Sequence, residues 1–103
     1  MNLKSIEYFL AAAEEMNITR AAERLFISQQ ALSSHLKRLE EEYGVPLFER
    51  RPSLRLTMFG EQMAFYGRQI IQAEANMRGA FSDISKNHTF TVTSNKCTII
   101  FKQ

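Results

Sequence analysis

Between Glu23 and Glu40 the chain carries no acidic residue, while Arg24, Lys37 and Arg38 lie inside that span. With Leu32 at the origin and ~100° of turn per residue, Leu36, Leu39 and Tyr43 fall within ~40° of it. The opposite arc, from ~100° to ~240°, holds Ser33, Lys37, Gln30, Ser34 and Arg38. Every side chain on that arc donates or accepts hydrogen bonds or is cationic. A helix entering the major groove of DNA requires this chemistry. Gln bonds bidentately to adenine, Ser serves either base type or a phosphate, cations meet phosphates, and a carboxylate would be repelled. Ser28 and Gln29 stand at the start of the same segment, where free backbone N–H groups favour an anion. His35 projects to the side, at about −60°, and reads as a boundary residue. Any solvated helix also shows a polar face, so the neighbouring elements must carry part of the case.

Those elements are readable. Leu3, Ile6, Phe9, Leu10, Ala13 and Met16 recur at helical spacing. Asn17-Ile18-Thr19 then interrupts, and either polar residue can cap a short second helix with Ala21, Ala22 and Leu25 inward, ending near Phe26. Ser28 is the N-cap of a third helix, which Gly44 stops and Pro46 follows. A short helix, a tight turn and a second helix are the elements of a helix-turn-helix. Leu47–Arg50 and Leu54–Thr57 then form two extended segments around Arg51-Pro52-Ser53. Arg50, Arg51 and Arg55 make this hairpin basic, and a basic hairpin in that place is a wing able to reach backbone or minor groove. Glu40-Glu41-Glu42 reads as a solvated last turn facing away from DNA.

From Thr57 to about Lys86 the pattern is helical again, ~45 Å at 1.5 Å per residue. The residues before it are too few to cover such a helix. Phe59, Met63, Tyr66, Ile70, Ala73, Met77, Ala80 and Ile84 alternate steps of four and three, a heptad seam expected to join two chains. Gly67 and Gly79 lie beside it and each costs ~1 kcal/mol against Ala, a cost that close approach of a partner would offset. A helix lying on a further domain is the blander reading. Residues 88–103 hold two β-type runs around Ser94-Asn95-Lys96, a short tail.

Composition removes several classes of function. The 103 residues suffice for one small domain and an extra helix. Net charge is only +2, so charge distribution rather than total charge carries the argument. Cys97 is the single cysteine, which leaves no intramolecular disulfide and no multi-cysteine metal site. Asp83, His35, His88 and Cys97 are scattered, and neither a Gly-rich phosphate loop nor a nucleophile elbow occurs. The expectation is a non-enzyme without cofactor or metal. With no apolar leader and no stretch of transmembrane length, it reads as a cytoplasmic protein that does not enter the membrane.

Several linked motifs converge on one family. Tyr8-Phe9, Thr19-Arg20-Ala21-Ala22-Glu23-Arg24-Leu25, Ser28-Gln29-Gln30-Ala31-Leu32-Ser33, Leu39 through Arg50, and Leu56-Thr57 with Gly60 stand in order. Together they resemble the N-terminal domain of LysR-type transcriptional regulators over about residues 2–86. The resemblance implies a winged helix-turn-helix and a linker helix pairing antiparallel with its twin. It also implies binding to an inverted-repeat operator in double-stranded DNA, as a homodimer or a tetramer. By position, Gln29, Gln30, Ser33, Ser34 and Lys37 would face the groove, with Thr19, Arg20, Arg50, Arg51 and Arg55 near phosphates. Ser28 and Arg38 flank the reading residues and join this set. Gln30 stands where the family usually has Pro, Ser34 and His35 where Arg or Gln is common, and the wing is about one residue shorter. No target sequence is therefore carried over.

The expected fold is mainly α: a three-helix winged helix-turn-helix (1–57), a dimerisation helix (58–87), and a β-like tail (88–103). The tail could open an effector-binding domain that the family carries and this sequence does not include. Ligand-controlled switching is then not expected of these 103 residues. The alternative is an interaction module whose long helix pairs with a full-length regulator.

Overall fold

In the computed structural model, residues 1–87, 89–92 and 99–102 are described. The expected turn at Ser94-Asn95-Lys96, together with His88 and Cys97, lies outside them. Four helices, α1 (Leu3–Glu15), α2 (Ile18–Leu25), α3 (Gln29–Tyr43) and α4 (Met58–Asn87), carry most of the chain. Strands β1 (Phe48–Glu49) and β2 (Arg55–Leu56) pair antiparallel, Phe48 opposite Leu56 and Glu49 opposite Arg55. A second antiparallel pair, β3 (Thr89–Val92) and β4 (Ile99–Lys102), follows α4. The fold is mainly α, a winged helix-turn-helix followed by a long helix, as expected.

Two compact units divide within α4. Met1–Ile71 form the first, Gln72–Gln103 the second. The first therefore includes the opening turns of α4, which sequence alone assigned to a separate helix.

Capping explains where the first three helices begin and end. Asn2 Oδ1 accepts from the Ser5 N–H (2.8 Å), Asn17 Oδ1 from Arg20 (2.9 Å) and Ser28 Oγ from Ala31 (3.0 Å). Of the two candidates for the second cap, Asn17 is the one used. Each helix closes on a residue with positive φ: Met16 at 51°, Phe26 at 58° and Gly44 at 67°. Glycine suits that conformation, whereas Met16 and Phe26 hold it at a steric cost of ~1 kcal/mol or more. Met16, expected on the inner face of α1, is instead an exposed cap.

Phe9, Leu32, Leu36 and Leu47 are the largest fully buried side chains and define the centre of the core. Phe9 meets Phe48 of the wing at 5.3 Å between ring centroids. The start of α4 is pinned by Thr57, whose hydroxyl donates to Pro46 O (2.6 Å) and accepts from the Gly60 N–H (3.1 Å). Gly60 is obligatory here, because a Cβ would lie 2.1 Å from Leu47 O.

Gly67 requires a correction. Rather than admitting a partner's backbone, it admits α1: a Cβ would stand 3.1 Å from Ile6 Cγ2 and 3.6 Å from Leu10 Cδ2. Gly60, Ala64, Gly67 and Ile71 form a stripe of small and aliphatic residues that seats α4 on its own domain. A Cβ at Gly79 would meet nothing within 4 Å.

Candidate nucleic-acid interface

Helix α3 turns its apolar positions inward, with Leu32, Leu36 and Leu39 all buried. The opposite arc is then free by geometry: Gln30, Ser34, Lys37 and Arg38 are exposed, and Ser33 is half-buried beside them. Gln29 and Ser28 are exposed at the helix start. Ser28 uses its oxygen lone pair on Ala31 N–H, which leaves the hydroxyl proton available to an outside acceptor. Thr19 and Arg20 are exposed in the first turn of α2, where the helix dipole favours an anion.

Wing arginines are exposed but not equivalent. Arg55 Nη2 lies 3.3 Å from Glu49 Oε2 across the two-stranded ladder. Arg50 Nη2 stands 4.0 Å from Glu40 Oε1, a looser pair. Such exposed pairs contribute little, ~0–1 kcal/mol, and a phosphate can compete for either guanidinium.

Glu40 itself departs from the solvated role expected of it. Its Oε2 accepts from the backbone N–H of Leu47 (2.7 Å) and of Phe48 (3.3 Å). One carboxylate thus ties the last turn of α3 to the first strand of the wing. Glu42 is engaged as well, its Oε2 lying 2.7 Å from the N-terminal ammonium of Met1. Arg24 is held by Glu14 (2.8 Å) and Glu15 (3.2 Å), which join α2 to α1 and raise its pKa. Arg24 therefore counts with the scaffold and not with the free cations.

His35 lies at the edge of the arc, half-buried, its ring edge-on to Tyr8 at 4.7 Å. Desolvation pushes its pKa below the usual imidazole value, and Arg38 and Lys4 push it further the same way. The boundary role read from the wheel is the one it occupies.

Of the seam residues, Phe59, Tyr66, Ile70, Ala73, Met77, Ala80 and Ile84 are exposed, and Met63 is half-buried against the core. An apolar groove of about 260 Å³ lies along the first half of this seam, walled by Met1, Tyr43, Val45, Leu47, Met63 and Tyr66. Tyr43, read as an inner position of α3, stands at this wall and is 45% exposed. Burial raises its hydroxyl pKa, and Glu42 adds to the shift.

Residues 3–61 match the family described as bacterial regulatory helix-turn-helix protein, lysR family. The chain belongs to the LysR family. This LysR-family chain is 52% identical over 67 residues to the HTH-type transcriptional regulator BudR of Klebsiella aerogenes. That stretch covers 64% of the chain and 46% of BudR. Identity to the HTH-type transcriptional regulator BsdA of Bacillus subtilis (strain 168) is 40% over 68 residues, 66% of the chain and 23% of BsdA. The chain thus spans less than half the length of these curated relatives. Among solved structures it resembles the BenM_DBD/catB site 1 DNA complex, with a TM-score of 0.79 and 32% identity. That likeness covers 82% of the chain and 97% of the BenM domain. The CbnR_DBD–DNA complex matches with a TM-score of 0.73 and 32% identity, over 84% of this LysR-family chain and 99% of that one.

Sequence reasoning missed three contributors in this LysR-family chain. Glu40 was masked by its acidic neighbours, and only its spacing from the wing could have suggested an anchoring role. Phe26, 94% exposed in a left-handed turn, gave no sign of either property. The 60/64/67/71 stripe was hidden behind a more apolar seam one position away. Among the described residues no group of three or more His, Cys, Asp and Glu could hold a metal ion. No helix of the described residues is long and apolar enough to cross a membrane.

Proposed function

We propose that this chain binds double-stranded DNA sequence-specifically as a dimer and regulates transcription, without chemistry of its own. The observation that carries this reading is the acid-free, exposed arc of α3, held outward by the burial of Leu32, Leu36 and Leu39. In this reading Gln29, Gln30, Ser33 and Ser34 meet base edges, while Lys37 and Arg38 meet phosphates. Ser28, Thr19 and Arg20 add contacts at helix starts, and Arg50, Arg51 and Arg55 bring the wing to the backbone. The exposed seam of α4 supplies the dimer, which sets two recognition helices on successive major-groove faces of an inverted repeat. A tetramer would add a second such pair. DNA-bound BenM and CbnR domains of similar fold support the docking mode, and such a regulator works in the cytoplasm, where bacterial DNA lies.

The test is fluorescence anisotropy of the purified chain with pooled genomic fragments across a salt series. A logarithmic affinity falling by about 0.9 per neutralised phosphate for each log unit of salt is the expected result. Enrichment of particular fragments would then identify the operator. Indifference to DNA at low salt would sink the reading.

A further inference from the structure

The polar arc of α3 has two edges, and they are built differently. Beyond one of them, at ~80° on the helical wheel, Glu40 ties α3 to the wing, whose arginines flank that side. At the other edge Arg38, at ~240°, is followed by His35 at about −60°, and there α3 packs on the start of α1. A helix lying in a major groove has a phosphate strand along each side. The wing serves one side only.

Three nitrogen-bearing side chains converge at the second edge. The Tyr8 ring meets His35 at 4.7 Å between centroids and carries the Lys4 ammonium 5.9 Å from its own centre. Arg38 stands one turn beyond His35 and, like Lys4, is exposed. Among the described residues neither cation has a carboxylate partner. A polar cavity of about 230 Å³ opens beside His35 and Arg38, walled by Asn2, Ser5 and Glu42. The carboxylate in that wall is already engaged, since Glu42 holds the Met1 ammonium at 2.7 Å. No acid stands in the first turn of α1, so the positive end of that helix adds to the same field. Burial disfavours a proton on His35, and the charges of Arg38 and Lys4 disfavour it further. An anion placed among the three relieves all of them at once.

We infer that Lys4, His35 and Arg38 together hold one backbone phosphate of the DNA, on the side of α3 away from the wing. This rests on the DNA-binding reading above and extends its contacts to α1. The phosphate offsets the charges of Lys4 and Arg38 and gives His35 an acceptor, so the imidazole takes up from solvent a proton that it refuses in the free chain. The resulting hydrogen bond joins a cationic donor to an anionic acceptor, the strong kind. DNA binding is thereby linked to pH. Because the complex holds this proton more tightly than the free chain does, affinity rises as pH falls through the bound value and levels off below the free one.

The test repeats the anisotropy measurement with pooled genomic fragments at pH 7.5 and 5.5, using the whole chain and its His35→Gln variant. Circular dichroism at each pH checks that both remain folded. The gain in affinity between the two pH values should be about fivefold or more larger in the parent than in His35→Gln. Protonation of Met1 and of His88 is common to both chains and drops out of the comparison. Lys4→Gln, a change at an exposed position, should make the salt dependence shallower by about 0.9, the share of one neutralised phosphate. Equal pH gains in parent and His35→Gln would remove the imidazole from the site, and an unaltered salt slope in Lys4→Gln would remove α1 from it. Either result leaves the DNA-binding reading intact, whereas a parent chain that ignores DNA at both pH values would end the two together.

Discussion

Helices α3 and α4 each bury one stripe in the same domain, yet their second faces are opposites. On α3 the face turned away from Leu32, Leu36 and Leu39 is polar and basic. On α4 the face beside Gly60, Ala64 and Gly67 is apolar and exposed, with Tyr66 57% and Phe59 52% accessible. A polar second face is satisfied by water and selects among hydrogen-bonding partners. An apolar one gains free energy when covered, at roughly 25 cal/mol for each Å² removed from water. In the function proposed above, the two faces therefore take different partners, nucleic acid on α3 and a second copy on α4.

The largest effect is expected where α4 is seated. Gly60→Ala drives a methyl group into Leu47 O and should cost about 2–3 kcal/mol, read as a lowered urea midpoint. A midpoint within error of the parent would mean that this stripe does not hold the helix.

On α3 the comparison is sharpened by Glu40, the acidic residue at the edge of the polar face. Glu40→Gln keeps one oxygen able to accept both N–H bonds, which end on the same Oε2, but removes the charge that strengthens them. A loss of about 1 kcal/mol with helicity retained is expected from chemical denaturation. Unchanged stability would return Glu40 to the solvated class.

His35 tests the border between the two faces. Its native pKa is lowered, so the unfolded chain binds a proton more readily. Its contribution to stability is full above the ordinary imidazole value of about 6.5 and is lost as pH falls through the lower native value. Urea midpoints at pH 7.5 and 5.5 should converge in His35→Asn relative to the parent chain. An identical pH dependence in both would dismiss the role of burial at this ring.

The smallest effect is expected at Phe26. Phe26→Asn keeps the left-handed turn with a residue that tolerates it and exposes less apolar surface. Stability should rise by roughly 0.5 kcal/mol, seen as a small upward shift in Tm. A fall would show that the ring makes a contact beyond its turn.

Much of this was legible in the residues themselves. Ser28 and Gly44 mark the ends of α3 because capping acts within a turn or two of the backbone, and local chemistry of that kind is written locally. The spacing of Leu32, Leu36 and Leu39 fixed the opposite arc for the same reason: the helical repeat relates near neighbours only. Linked motifs from Tyr8 to Gly60 supplied the family. Reading failed where contacts join distant residues.

Glu40 looked like its neighbours Glu41 and Glu42 until Leu47 and Phe48 returned alongside it. Gly67 looked like a cost awaiting a partner until Ile6 and Leu10 were found against it. The two ends of α3, the polar arc and the heptad seam of α4 were thus determined by the sequence alone, since each depends on residues a few positions apart. Which of the two apolar stripes on α4 faces its own domain, which carboxylate anchors the wing, and which ring ends exposed were decided only by tertiary structure. The reason is physical: packing compares surfaces that the chain brings together only after folding, and no local spacing records which surface will arrive.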